Sequence, residues 1–120
     1  MRYLITTTRH FSAAHALRLY DQSMEPIHGH NWKIQVTVEA PRLDSIGVVM
    51  DFHDLEKQID ALVGPFHNRH LNELDAFQSL NPTAENVAVY VAGNLQLPAG
   101  AGLKSVEVWE TPDNSARVEM

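Results

Sequence analysis

A chain of 120 residues has room for one domain of ordinary size, and 44% hydrophobic with 20% charged residues is the balance of a folded protein, not of a disordered one. Nine Lys and Arg against 15 Asp and Glu leave a formal charge of −6, which excludes a surface dedicated to nucleic acid or anionic lipid but permits a local anion pocket. The absence of cysteine removes disulfides, thiolate metal ligands and a cysteine nucleophile from consideration.

The N-terminal run MRYLITTTRHFSAAH interleaves polar residues where a signal peptide needs an apolar stretch, and no segment approaches the ~18 apolar residues of a membrane span. The expectation is a soluble, cytoplasmic protein with neither a membrane nor a nucleic-acid partner. Tyr3 to Thr8 and Trp32 to Glu39 are rich in β-branched and aromatic residues. In the second run Ile34, Val36 and Val38 alternate with Lys33, Gln35 and Thr37, so both predict half-buried strands. Between them, the stretch from Ala14 to Asn31 contains Pro26 and Gly29 and predicts the loop-containing connection of a long hairpin.

Asp51 opens a helical pattern that places Leu55, Ile59, Leu62 and Val63 on one face and stops at Gly64-Pro65. A second helix begins at NPTAEN, with Thr83 as its cap three residues ahead of Asn86 and with Val87 and Val91 along its apolar stripe. Ser105 to Glu110 alternates again, Pro112, Asp113 and Asn114 supply a turn, and Ser115 to Met120 predicts a final strand. Two strands, two helices and two strands in one domain, 1–120, read as an α+β fold: a four-stranded antiparallel sheet with two helices on one face. A sheet this small leaves its edges unpaired, and we expect subunit association to close them.

Seven histidines are an excess for this length, and three cluster around the first hairpin: His15, His28 and His30. In an extended segment residues i and i+2 point to the same side, so His28 and His30 converge while His15 arrives from the other arm. Three imidazoles are the donor set of a catalytic zinc, which keeps a fourth position open. On spacing alone, His-Gly-His fits either such a site or a turn with two solvated histidines. A cupin-like site is set aside because no glutamate follows at the required short distance. His67 and His70 are of the residue type that serves as general acid or base near neutral pH, and equally of the type found in loops after helix ends. Glu110 ends an alternating strand beside Thr111, and Asp51, Thr83 and Glu85 first read as helix-start residues.

Taken in order, FSAAH (11–15), HGHNW (28–32), GVVMDFHDLE (47–56), HLNE (70–73), NPTAEN (81–86) and WETPDNSA (109–116) resemble the successive signatures of the 6-pyruvoyltetrahydropterin synthase / 6-carboxytetrahydropterin synthase family over nearly the whole chain. The resemblance implies a tunnelling fold, with trimers whose sheets close into a β-barrel, hexamers formed from paired trimers, and an active site between subunits. It implies Zn2+ held by His15, His28 and His30, acting on the side chain of 7,8-dihydroneopterin triphosphate as a Lewis acid. It also implies a pterin ring anchored by Glu110 next to Thr111, in a pocket lined in part by the NPTAEN segment with Thr83 and Glu85. Members serve queuosine, folate or biopterin synthesis.

Two positions depart from that pattern. Where most members carry a cysteine as general base, four residues before HGH, this chain has Met24, and a thioether takes no proton. In a variant class a glutamate stands in and the product is 6-hydroxymethyl-dihydropterin; Glu25 is the substitute expected here. The usual Asp-His pair aligns with His67 and Asn68, and His67 or His70 is expected to restore its function. The reading is therefore a zinc-dependent pterin side-chain lyase. Its alternatives are a zinc- and pterin-binding module that has lost catalysis and, less in keeping with three retained ligands, a bare oligomeric scaffold. Arg9, Lys33 and Arg69 are the cations available for a triphosphate, with salt bridging as the competing role of each.

Overall fold

The computed structural model describes residues 1–120. Strands β1 (Tyr3–His15) and β2 (His28–Ala40) form an antiparallel hairpin in unbroken register from Tyr3 opposite Ala40 to His15 opposite His28. Helix α1 (Phe52–Val63) follows, then a two-residue strand β3 (Arg69–His70), helix α2 (Ala84–Asn94), and strands β4 (Gly102–Thr111) and β5 (Asn114–Glu119). The sheet order is β3-β1-β2-β4-β5. The α+β class and the helix pair stand as expected, but the sheet has five strands, not four. The added strand is β3, which pairs in parallel with Ala13 and Ala14.

Alternation explains which face is covered. Phe11, Ala13 and His15 of β1 and Trp32, Ile34, Val36 and Val38 of β2 are buried on one face, together with Val106 and Val108 of β4. The helices supply the other half of that core: Leu55, Ile59 and Val63 from α1, and Ala84, Val87, Ala88 and Val91 from α2. Leu62, read from the sequence as part of the α1 stripe, lies at its margin and is only partly buried. Both helices begin on side-chain caps, Asp51 accepting from the His53 N–H and Thr83 from the Asn86 N–H. Phe11 and Trp32 stack at 5.6 Å, and the Trp32 Nε1–H donates to the Ala13 carbonyl at 3.1 Å, so the largest buried side chain satisfies its one donor. Burying such a side chain contributes about 1.5–3 kcal/mol, and Trp32 closes the core just beneath the end of the hairpin that carries the histidines.

Arg9 ties β1 to α1 through Asp60 at 2.6 and 2.8 Å and Glu56 at 3.1 Å, and the Lys33 ammonium lies 4.0 Å from the centroid of the Trp109 ring. Two of the three cations considered for a phosphate group are thus engaged within the chain, Arg9 in the expected salt bridges and Lys33 on an aromatic face instead. Arg69 is at the strand end, exposed. No helix is long and apolar enough to cross a membrane.

Candidate active site

The hairpin register itself assembles the histidines. His15 and His28 face each other across the last pair of the ladder, and His30 sits two residues further along β2 on the same face. Their rings are 4.7 to 5.2 Å apart between centroids and mutually tilted, and Trp32 meets the edge of His15 at 5.0 Å. One ring nitrogen from each histidine lies within 4.8 Å of the other two. Tetrahedral zinc with Zn–N of ~2.1 Å requires a somewhat tighter triangle.

The outer nitrogens decide the tautomers. His15 Nδ1 donates to the Pro82 carbonyl at 2.7 Å and His28 Nδ1 to the Pro26 carbonyl at 2.9 Å. A carbonyl only accepts, so both rings carry their proton on Nδ1 and present an Nε2 lone pair inward. The Nε2 atoms of His15 and His30 are buried with no hydrogen-bond partner. Buried nitrogen lone pairs left unpaired at the convergence of three imidazoles fit a cation and little else.

Burial, foremost, pushes the His30 pKa below its ordinary value of 6.5, with the neighbouring His15 and His28 adding to the depression and Glu110 opposing it. The folded protein therefore refuses a proton that the unfolded chain accepts. Without metal, stability should be full above pH 6.5 and decline as pH falls from there toward the depressed folded value. Melting temperatures of chelator-treated protein between neutral pH and about pH 5 check this, and His30→Asn should flatten the slope; an unchanged slope in that variant would contradict it.

Glu25 arrives from the loop between the strands. Its Oε1 accepts from the Leu17 N–H at 2.9 Å and stands 3.7 Å from His28 Nε2. Glu110 approaches from β4, its two carboxylate oxygens each 3.9 Å from an Nε2, one of His15 and one of His30. It is also the residue left without a partner where the β4–β5 register shifts between Trp109 and Thr111, a bulge of the kind that re-aims a side chain. Met24 is half exposed and bridges Arg18 across the loop.

The family comparison can now be set beside this geometry. Residues 4–120 match the family model described as 6-pyruvoyl tetrahydropterin synthase. The chain belongs to the 6-pyruvoyl tetrahydropterin synthase family. It is 33% identical over 111 residues to the dihydroneopterin monophosphate aldolase of Pyrococcus furiosus, covering 91% of this chain and 90% of that one. It is also 39% identical over 103 residues to the 6-pyruvoyl tetrahydrobiopterin synthase of Homo sapiens, covering 82% and 70%. Against the 6-carboxy-5,6,7,8-tetrahydropterin synthase of Synechocystis the identity is 35% over 111 residues, covering 89% and 85%. Among solved structures, the Caenorhabditis elegans 6-pyruvoyl tetrahydropterin synthase superposes with a TM-score of 0.84 at 24% identity over 100% of this chain and 96% of that one, so the tunnelling fold is shared.

The other residues expected at the site fall into two groups. Glu110 and Glu85 line one pocket of about 200 Å3 with Asn114 and Ser115. The Thr83 hydroxyl is occupied as the α2 cap, and the Thr111 hydroxyl accepts from the Asp113 N–H and the Asn114 amide in the β4–β5 turn, both at 3.4 Å. Neither His67 nor His70 joins the cluster of converging ring nitrogens formed by His15, His28 and His30. His67 Nδ1 accepts from the Ser12 N–H at 3.1 Å, and Asn68 adopts φ 57°, a left-handed turn conformation that asparagine tolerates well. His70 pairs beside Ala14, on the face shared by Ser12 and Asn31 and opposite Phe11 and Trp32. There it helps line an open cavity of about 570 Å3 with Ser12, Asn31, Asn68, Arg69 and, from the triad, His30. Its Nε2 is buried without a partner, and its Nδ1 is 3.5 Å from Glu73.

Sequence reasoning missed Asn72 and Asn81. Each gives its whole carboxamide to the backbone of the segment after β1, Asn72 to Ala16 and Asn81 to Arg18. Their only signal was membership of the HLNE and NPTAEN motifs.

Proposed function

We propose that the protein is a zinc-dependent lyase of the 6-pyruvoyl tetrahydropterin synthase family, with Glu25 as its general base. It cleaves the side chain of 7,8-dihydroneopterin, free or phosphorylated, to 6-hydroxymethyl-7,8-dihydropterin. The observation that carries this reading is the Glu25 carboxylate standing 3.7 Å from His28 Nε2, in a chain with no cysteine. Similarity to an aldolase over nine tenths of both chains supports it. The Plasmodium vivax synthase, whose catalytic residue is a glutamate, indicates that the shared fold accommodates that residue type in such a role.

His15, His28 and His30 would hold the zinc, which when bound would supply Lewis-acid polarisation of the substrate's side-chain hydroxyls. Glu25 takes the proton of the 2′-hydroxyl, the C1′–C2′ bond breaks with its electrons passing into the ring imine, and glycolaldehyde leaves, carrying the phosphate when the substrate is phosphorylated. A proton returned to C1′ completes the balance, with no oxidant or reductant. Glu110, at the mouth of the smaller pocket, accepts from the paired N–H groups of the pterin's guanidine-like edge.

The second proton-transfer group is assigned to His70, with Glu73 as its carboxylate partner, because His67 already spends Nδ1 on the Ser12 amide. His70 pairs beside Ala14, whose side chain points away from the triad's sheet face, and we assign it to the site of a neighbouring subunit in a trimer or hexamer closed through β5 and the part of β1 that β3 leaves uncovered. His70→Ala should lower kcat about 100-fold while His67→Ala changes kcat per folded chain less than about threefold; an unchanged kcat in His70→Ala would remove the assignment.

Anaerobic incubation of zinc-loaded protein with dihydroneopterin, its monophosphate and its triphosphate tests the reaction. The reading predicts 6-hydroxymethylpterin after oxidation. A pyruvoyl or carboxy product would overturn the base assignment, and tight pterin binding without turnover would favour the binding module.

A further inference from the structure

After His15 the chain leaves the sheet but remains extended for three residues, Ala16 to Arg18, and every peptide group in that stretch has found a partner. The Ala16 N–H and C=O are bonded by the Asn72 carboxamide at 2.9 and 2.7 Å, and those of Arg18 by the Asn81 carboxamide at 2.8 and 2.9 Å. The intervening Leu17 faces the other way and is bonded on both groups by Glu25: its N–H by the carboxylate at 2.9 Å and its C=O by the Glu25 N–H at 3.0 Å. Two side-chain amides thus imitate a neighbouring strand along one edge, and Glu25 occupies the opposite edge.

We infer that Asn72 and Asn81 are positioning residues that set the ligand His15 and the base Glu25 by pegging the segment between them. The inference rests on the assignment of Glu25 as base for its kinetic part, and on the histidine triad alone for its metal part. Neither asparagine touches the triad or Glu25; each acts through three residues of backbone. Asn81 is itself held to the start of α2, its carbonyl accepting from the Thr83 N–H and the Asn86 amide, each at 2.8 Å. The next residue, Pro82, supplies the carbonyl that orients His15. One rigid helix terminus therefore fixes the ring of a ligand and the backbone next to it.

Only a carboxamide offers a donor and an acceptor at the spacing of a peptide group. Asn→Asp keeps the shape, loses the donor and turns an oxygen toward a carbonyl, so it removes the peg without leaving a hole. Outer-sphere partners of metal ligands typically govern affinity by about 10- to 100-fold.

The test uses the full-length protein with Asn72→Asp and Asn81→Asp, each also combined with Glu25→Gln. Zinc affinity is read by competition with a chromophoric chelator and turnover by glycolaldehyde release per folded, zinc-saturated chain. Expected are about 10- to 100-fold weaker zinc binding in both single variants and a fall in kcat with KM little changed. Once Glu25 is already Gln, the further substitution should cost less than about threefold in residual turnover, as coupled residues behave. Unchanged zinc affinity in both variants, with only a lower melting temperature, would overturn the inference, since a purely structural peg moves stability alone. Absence of turnover in the unsubstituted protein would overturn the lyase reading and leave zinc affinity as the deciding measurement here.

Discussion

Replacing His15 with alanine is expected to weaken zinc binding roughly 100- to 1,000-fold, the share of one ligand in an apparent binding free energy of about 10–16 kcal/mol distributed over four. Turnover at limiting zinc should fall in proportion. The residue is 1% exposed and packs edge-on against Trp32, so its removal also opens a hole beneath the hairpin end and costs stability. His28→Ala separates the two effects. That side chain is 40% exposed, so the variant should lose metal affinity to a similar degree while its metal-free melting temperature stays close to that of the parent. Equilibrium dialysis with zinc, paired with melting curves of chelated protein, reads both. Full zinc affinity in either variant would mean that the converging nitrogens are not the metal ligands.

Glu25→Gln is expected to lower kcat by about 100- to 10,000-fold, the usual contribution of a general base, with zinc affinity unchanged within a few-fold. The amide is the informative replacement. Its oxygen still accepts from the Leu17 N–H, which keeps the loop in place, while the basic oxygen is gone. Glu25→Ala removes both functions and should add a loosening of the loop between β1 and β2. Steady-state kinetics on zinc-saturated protein distinguish these outcomes, and a Gln variant as active as the parent would remove Glu25 from the chemistry.

Much of this molecule is legible in its sequence where a local rule governs the outcome. Alternation in WKIQVTVE, the Asp51 and Thr83 caps and the apolar faces of α1 and α2 all follow from short-range periodicity. His-Gly-His forces two imidazoles to one side of a strand, and the hairpin then needs only its register to bring His15 opposite His28. The parts that escaped depend on contacts distant in sequence. Strand β3 is two residues long and is defined only by its parallel partner at Ala13 and Ala14, so no pattern within Arg69-His70 announces it. Asn72 and Asn81 reach backbone groups 56 and 63 residues away, and an asparagine that stands in for a strand has the same local signature as one in a turn. The roles of His67 and Asn68 likewise emerge only in three dimensions, where Asn68 takes a left-handed turn and His67 receives the Ser12 amide.

The most direct test of the account is a zinc titration of metal-stripped protein in the presence of dihydroneopterin, with glycolaldehyde and 6-hydroxymethyl-dihydropterin measured together. The account predicts no turnover without metal, equal amounts of the two products, and a rate that saturates at one zinc per chain. Turnover by the metal-free protein, or a rate that does not rise as zinc is added to the stripped protein, would contradict it.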